Sequence, residues 1–289
     1  SAAELLERCR ETGQPISAVM RAREGELFGS SAVEQNRRMQ RAWSIMQEAA
    51  RQPLTEPQAS MGGIIGGEAK QLNDAAGREE AAGQEPVSGR VTSLAMRYAM
   101  AVLEVNASMG LIVAAPTAGA SGVIPGTFLA VQETRGLTDE QMVTALFTAG
   151  ALGYLIMNEG TVAGAEGGCQ AETGSAAAMA AAGLVEVLGG QPEDCLAAAS
   201  TCLQNVLGLV CDPIGGLVEA PCQRRNALGA ANALIAAEMA LAGLGGIIPL
   251  DEMIAAARDV GQAMPAALRE TGKGGTAATP SACALCAGC

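Results

Sequence analysis

Apolar residues recur at helical rather than strand spacing along nearly the whole chain. Val33, Met39, Trp43, Met46 and Ala50 share one helical face, while Glu34, Arg37, Arg38, Arg41 and Glu48 cover the other, the pattern of a helix lying on a core. Residues 1–52 as a whole read as surface helices, and Pro53 and Pro57 end the pattern. The stretch from Asp74 to Arg90 is polar and glycine-rich and is predicted to be a loop or linker. From Val91 onward, Val91, Leu94, Ala95, Tyr98, Val102 and Val105 follow one helical face. Thr138 and Gln141 have capping-box spacing. The helix they open runs to about Met157 and is apolar nearly all round, which predicts a central, buried element. Further helices are predicted over 175–188, 193–209, 225–243 and 251–260, with Pro192-Glu193-Asp194 and Asp251-Glu252 as start signals. No alternating run predicts a strand, and no internal repeat is present. The expected fold class is all-α, a single large helical domain with a central buried helix.

Between these helices lie four loops dense in glycine, proline and small polar residues: 114–126, 158–175, 211–222 and 271–276. Such loops let backbone approach a ligand closely, and four of them suggest one site assembled from distant segments. Composition agrees: 49% of the 289 residues are hydrophobic but only 2% aromatic, with 37 glycines, so close helix packing replaces a core of large rings. The net charge of −12 argues against nucleic-acid partners and anionic membrane surfaces, both of which need clustered Lys and Arg. The stretch from Asn226 to Pro249 is long enough to suggest a membrane span, but Asn226, Asn232 and Glu238 interrupt it, and it is expected to be a buried core helix.

The absence of histidine excludes Ser–His–Asp and Cys–His catalysis and His-ligated zinc or haem built from this chain alone. Lys70 and Lys273 are the two lysines on which a pyridoxal-phosphate Schiff base would have to form. Nine cysteines, with no signal-peptide pattern at the N-terminus, fit a reducing cytoplasm in which thiolates are available to metal. Cys169, Cys211 and Cys222 sit in glycine- or proline-rich loops as C-x41-C-x10-C. Cys195 and Cys202, seven apart on an alanine-rich stretch, read as core, and Cys9 as structural. Three thiolates without histidine fit an iron–sulfur cluster better than catalytic zinc. Three protein ligands on a [4Fe–4S] cluster would leave the fourth iron open to act as a Lewis acid.

The segments GAEGGCQAETGSAAAMAAAGLVEVLGG and NVLGLVCDPIGGLVEAPCQRRNA, with APTAGASGVIP and RETGKGGTAATP, closely resemble the α-chain signature of iron–sulfur L-serine dehydratases. The resemblance extends from about Ser60 to Pro280. It implies a helical catalytic domain over 58–280, N-terminal helices over 1–57 packing on it, and a [4Fe–4S] cluster on Cys169, Cys211 and Cys222. It also implies elimination of water from L-serine, giving pyruvate and ammonia. The family's small α/β module is absent from this sequence, so a separate β subunit in a higher-order heteromer is the expected partner. Residues 281–289 form a cysteine-rich tail in which Cys283, Cys286 and Cys289 make C-x2-C-x2-C; Cys289 is the candidate for a displaceable fourth ligand. Substrate-binding candidates are Thr117, Gly119, Ser121, Gly122 and Lys273, and proton-acceptor candidates are Lys70, Lys273 and Glu166. The competing readings are an L-cysteine desulfidase with the same cluster type and a noncatalytic, cluster-bearing scaffold subunit.

Overall fold

A computed structural model describes residues 1–285. Among them the chain forms α1 (Ala2–Thr12), α2 (Ile16–Phe28), α3 (Ala32–Arg51), α4 (Glu68–Ala81), α5 (Arg90–Ala107), α6 (Val123–Arg135) and α7 (Asp139–Glu159). It continues with α8 (Gly164–Gly167), α9 (Ser175–Val187), α10 (Pro192–Asn205), α11 (Cys222–Leu241), α12 (Leu250–Ala263) and α13 (Pro280–Leu285). No strand occurs among the described residues beyond an isolated bridge between Cys211 and Arg269, and the all-α expectation holds.

Local chemistry explains the helix ends. The Thr138 side chain accepts from the Gln141 amide in a reciprocal capping box, satisfying donors that the first turn of α7 leaves open. Gly136 closes α6 in the left-handed region, where a Cβ would be strained. Asp139, in the first turn of α7, accepts hydrogen bonds from Trp43 Nε1 at 2.8 Å, Gln132 Nε2 at 2.8 Å and Gln47 Nε2 at 3.1 Å. Those bonds, chiefly from Gln132 and Trp43, hold its carboxyl below the ordinary range, and they dock α3 and α6 on the positive end of α7.

Helix α9 lies at the centre, packed against α7, α10, α11 and α6, with every residue from Ser175 to Val185 buried. Its apolar surface is mostly alanine, so helix axes approach closely. At Gly183 a Cβ would come within 2.7 Å of both the Ala145 carbonyl oxygen on α7 and the Phe128 ring on α6. Helix α7 is long and apolar enough to cross a membrane, yet most of it is buried within the fold.

Three expectations need correction. Residues 74–81 are not loop: α4 continues through them, held by the Lys70–Asp74 pair one turn apart and by Arg97 Nη1 donating to Asn73 Oδ1 at 2.7 Å. Helix α6 begins at Val123, inside the expected 114–126 loop, because Pro125 is tolerated where first-turn amides have no helical acceptor. Residues 241–249 are exposed throughout rather than core, although the inner face of α11 is buried as expected.

The α5–α6 contact gives a direct test of close packing. A Cβ at Gly126 would meet the Ala95 carbonyl oxygen at 2.7 Å and Ala99 at 2.8 Å, whereas Gly150 has open space around it. Gly126→Ala is expected to destabilise the fold by about 1–3 kcal/mol. Gly150→Ala should be neutral or stabilising by about 0.5–1 kcal/mol. Urea denaturation of the two variants compares them directly.

Candidate functional site

Cys169, Cys211 and Cys222 come from three separate segments, and each is fixed by its own local structure. Cys169 follows Gly168, whose φ of +77° and closeness to the Leu209 carbonyl oxygen (2.9 Å from an added Cβ) require glycine. Residues Gln170–Gly174 then form a single π turn leading into α9, a feature that often marks functional sites. Gln170 staples this turn in place: its side chain accepts from the Gly208 amide at 2.8 Å and donates to the Ala257 carbonyl at 2.7 Å. Cys211 is gripped on both sides of its backbone, donating to Leu268 O at 2.9 Å and accepting from the Glu270 amide at 2.7 Å. Cys222 is the first residue of α11. One turn on, the Asn226 side chain donates to Cys222 O at 2.9 Å and Gly119 O at 2.7 Å and accepts from the Gly122 amide at 2.9 Å. The four glycine-rich loops therefore meet at one place.

The three thiols are 4%, 2% and 8% exposed respectively, and none is in a disulfide. Burial pushes all three up, Cys222 to about 12. Beyond burial, Glu172, Cys169, Glu270 and Cys222 push Cys211 up, and Cys169 and Glu172 push Cys222 up. Arg225 supplies positive charge here. Its guanidinium pairs with buried Asp212 at 2.7 Å and donates to Val210 O at 2.8 Å, and its charge opposes the effect of burial on Cys169. Burial opposes the Arg225 charge, but Cys169 and Asp212 outweigh it and hold its pKa above the ordinary value. Asp212 in turn accepts from the Thr276 amide at 2.6 Å, anchoring the 271–276 loop. A set of buried, unpaired, soft donors whose ionised form lacks sufficient counter-charge fits a thiolate-bound iron–sulfur cluster.

Two carboxylates complete the site. Oxygens of Glu172 and Glu270 and the Cys211 sulfur all lie within 4.8 Å of one another. Glu172 accepts from Thr117 Oγ1 at 2.8 Å. Its other oxygen is 4.0 Å from Cys211 Sγ. Burial pushes the Glu172 carboxyl up to about 6, opposed by Thr117 and reinforced by Glu270. Gly119 and Gly164 give Glu172 room: an added Cβ would come within 3.2 Å and 2.7 Å of its two oxygens. Glu270 has a positive φ of 62°, a strained conformation for a non-glycine residue that clusters at functional sites. Sequence reasoning missed both acids. The available signal was position, since Glu172 lies three residues after Cys169 and Glu270 two before Gly272 in the motifs already singled out.

The remaining candidates are distributed unevenly. Thr117 and Gly119 border the site through Glu172. Ser121 Oγ donates to Ala118 O at 2.7 Å, and the Gly122 amide bonds Asn226, so these two hold the turn in shape. Lys273 is exposed, on a loop docked against residues 212–216. Lys70 pairs with Asp74 on α4 at 2.5 Å, and exposed Glu166 accepts from Thr161 at 2.6 Å. No hydrogen bond links the side chain of Lys70 or of Glu166 to the three cysteines. Cys195 and Cys202 are buried in α10 and Cys9 in α1. Cys283 is exposed, while Cys286 and Cys289 lie outside the described residues.

Beside Cys222 a further buried acid acts as a clamp. Glu219 accepts from Ser60 Oγ at 2.6 Å, the Gly62 amide at 2.7 Å and the Ile64 amide at 3.0 Å, fastening residues 60–64 to the cysteine loop. Glu219→Gln turns an acceptor oxygen into a donor facing donors. It is expected to cost about 1.5–3 kcal/mol and to expose residues 58–66 to proteases, which limited proteolysis with mass spectrometry checks.

Comparison with known proteins covers this whole arrangement. The family described as serine dehydratase alpha chain matches residues 11–277. The chain is 49% identical over 278 residues to the probable L-serine dehydratase alpha chain of Bacillus subtilis strain 168, covering 96% of this chain and 91% of that one. It is 43% identical over 277 residues to the L-serine dehydratase alpha chain of Peptoniphilus asaccharolyticus, with 96% and 93% covered. Identity to the L-serine dehydratase of Streptomyces coelicolor is 38% over 280 residues, spanning 95% of this chain but 59% of that longer one. With a match that runs through all three buried cysteines and both site carboxylates, the chain belongs to the serine dehydratase alpha chain family.

Proposed function

We propose that the chain is an L-serine dehydratase subunit that holds a [4Fe–4S] cluster on Cys169, Cys211 and Cys222 and eliminates water from L-serine. The observation that carries this reading is the convergence of three buried, unpaired thiols from separate segments beside two carboxylates; membership of the family and its relatives' names support it. When bound, the cluster supplies a Lewis-acidic iron for the hydroxyl that departs. Arg225, paired with Asp212 and acting on Cys169 through its charge, offsets part of the thiolate charge. Glu172 and Glu270 present negative charge beside Cys211, suited to the substrate ammonium group. The 116–119 turn, with Thr117, and Lys273 offer donors to the substrate carboxylate. Loss of the Cα proton and of the hydroxyl yields aminoacrylate and water; tautomerisation and hydrolysis of aminoacrylate give pyruvate and ammonia. A separate β subunit completes the enzyme, supplying what a chain without histidine lacks. A reducing cytoplasm suits the free thiols.

Anaerobic purification with and without the β chain tests the reading. Cys169→Ala, Cys211→Ala and Cys222→Ala should each abolish the brown cluster absorbance. Cys195→Ala and Cys202→Ala should retain it at a cost of about 0.5–3 kcal/mol in stability. A full cluster in the Cys211→Ala protein would overturn the ligand assignment. Pyruvate release from serine is expected, and far faster with the β chain. Sulfide release from cysteine as the dominant activity would identify a desulfidase, and a cluster with no turnover of any substrate would identify a scaffold. Glu172→Gln should raise the serine KM by about 10–100-fold, the range for loss of one charged contact, with the cluster spectrum unchanged. An unaltered KM would remove Glu172 from substrate binding.

A further inference from the structure

Thr173 lies in the π turn that joins Cys169 to α9, and it is buried. Elsewhere in the helices, threonine hydroxyls donate to the carbonyl four residues back. Thr127 bonds Val123 O at 2.7 Å, Thr134 bonds Ala130 O at 2.7 Å, Thr144 bonds Glu140 O at 3.0 Å and Thr201 bonds Ala197 O at 2.9 Å. That is the ordinary habit of a helical hydroxyl. Thr173 departs from it. It also reaches back four residues, but to a side chain: its Oγ1 lies 3.1 Å from the Cys169 sulfur. The π turn shifts the backbone ladder by one residue, and the hydroxyl meets a sulfur where an α turn would offer a carbonyl.

The rotamer is fixed from the other side. A Cβ at Gly229 of α11 would come within 2.8 Å of Thr173 Cγ2, so the threonine methyl occupies the space that the glycine leaves. With the methyl held there, β-branching keeps Oγ1 on the side of Cys169. In the free thiol either atom can be the donor. An ionised sulfur carries no hydrogen and can only accept, so the hydroxyl must then donate. Its donation opposes the effect of burial on Cys169. Cys211 is placed differently, for its sulfur faces a Glu172 oxygen at 4.0 Å.

Given Cys169 as a cluster ligand, the reading argued above, we infer that Thr173 is a positioning residue whose hydroxyl donates to that sulfur, fixes its orientation and raises the reduction potential of the cluster. A donor on a ligand sulfur stabilises the more negative, reduced cluster more than the oxidised one, so its loss lowers the potential. The hydroxyl is neutral and does not titrate, so this effect holds at every working pH.

Two substitutions separate the hydroxyl from the packing. Thr173→Val keeps the shape and removes the donor, whereas Thr173→Ser keeps the donor and removes the methyl. The anaerobically purified, cluster-loaded proteins are titrated with dithionite, the reduced cluster is followed by electron paramagnetic resonance, and circular dichroism verifies folding. Thr173→Val should hold a cluster whose midpoint potential is shifted to more negative values and whose brown absorbance decays faster in air. Thr173→Ser should stay closer to the unaltered protein than to Thr173→Val. An unshifted potential in Thr173→Val overturns the proposal, as does a serine variant shifted as far as the valine one. If Thr173→Val holds no cluster, the serine variant decides: a cluster at the unaltered potential upholds the role of the hydroxyl, and its loss there too assigns Thr173 to packing alone. A full cluster in Cys169→Ala would instead remove Cys169 from the ligand set, a failure of the ligand assignment that the threonine variants do not produce.

Discussion

Helix α9 is enclosed on every side, and almost everything else in the molecule follows from how that is achieved. Its sequence SAAAMAAAGLVEV presents methyl groups where most core helices carry leucine or phenylalanine. A single alanine buries little area, so stabilisation comes from many close backbone contacts and their summed dispersion energy. Such contacts tolerate no bulk: Gly183 lies against the Ala145 carbonyl, and Gly229 of α11 lies against Thr173 and Val123. Rigid enclosure of α9 fixes the π turn at its N-terminal end, and that turn carries Cys169 at its start and Glu172 within it. The one ring at these contacts, Phe128, is accommodated by the missing side chain of Gly183.

The site so assembled is electrostatically unfavourable on its own. Three buried thiols and two carboxylates are held together with Arg225, itself shared with Asp212. Burial, and for Cys211 and Cys222 the neighbouring negative charges, favours the protonated thiols. Ionising them all would be expensive in a low-dielectric pocket without a bound cation. Metal binding in such a place is coupled to proton release, and the free energy of binding is partly spent in making the ionised site stable. Cys211 and Cys222 are fixed through their backbones, whereas the Cys169 sulfur also bonds Thr173 Oγ1 at 3.1 Å.

Much of this was legible from residue order, for physical reasons that differ from element to element. Helix α7 announced itself by the Thr138–Gln141 capping box and an apolar surface all round, and α3 by one apolar face. The three cysteines stood out through their glycine context, since Cys195 and Cys202 lack it and are plain core. The carboxylates were hidden. Glu172 and Glu270 look like ordinary polar residues of loops, and what makes them special is that Cys211 bonds to the 268–270 segment across a long sequence separation. Lys70 was singled out because lysines are scarce, but scarcity does not govern where α4 points its side chains, and Asp74 holds it at the surface. The polar stretch after Asp74 was misjudged because glycine content outweighed the Lys70–Asp74 and Asn73–Arg97 contacts that keep α4 helical.

Helix α11 shows how two demands are separated on one element. Its first residue is a candidate ligand, and its inner face holds Asn226 and Gln223, whose side chains reach the 119–122 turn and the buried Glu104. Any rotation of the helix would shift Cys222 and break these bonds together, so the inner face cannot vary without disturbing the site. The outer face is under no such constraint, yet it is not polar, as a solvated face would be. Exposed Leu228 and Ile235 are costly in water and gain nothing within the chain.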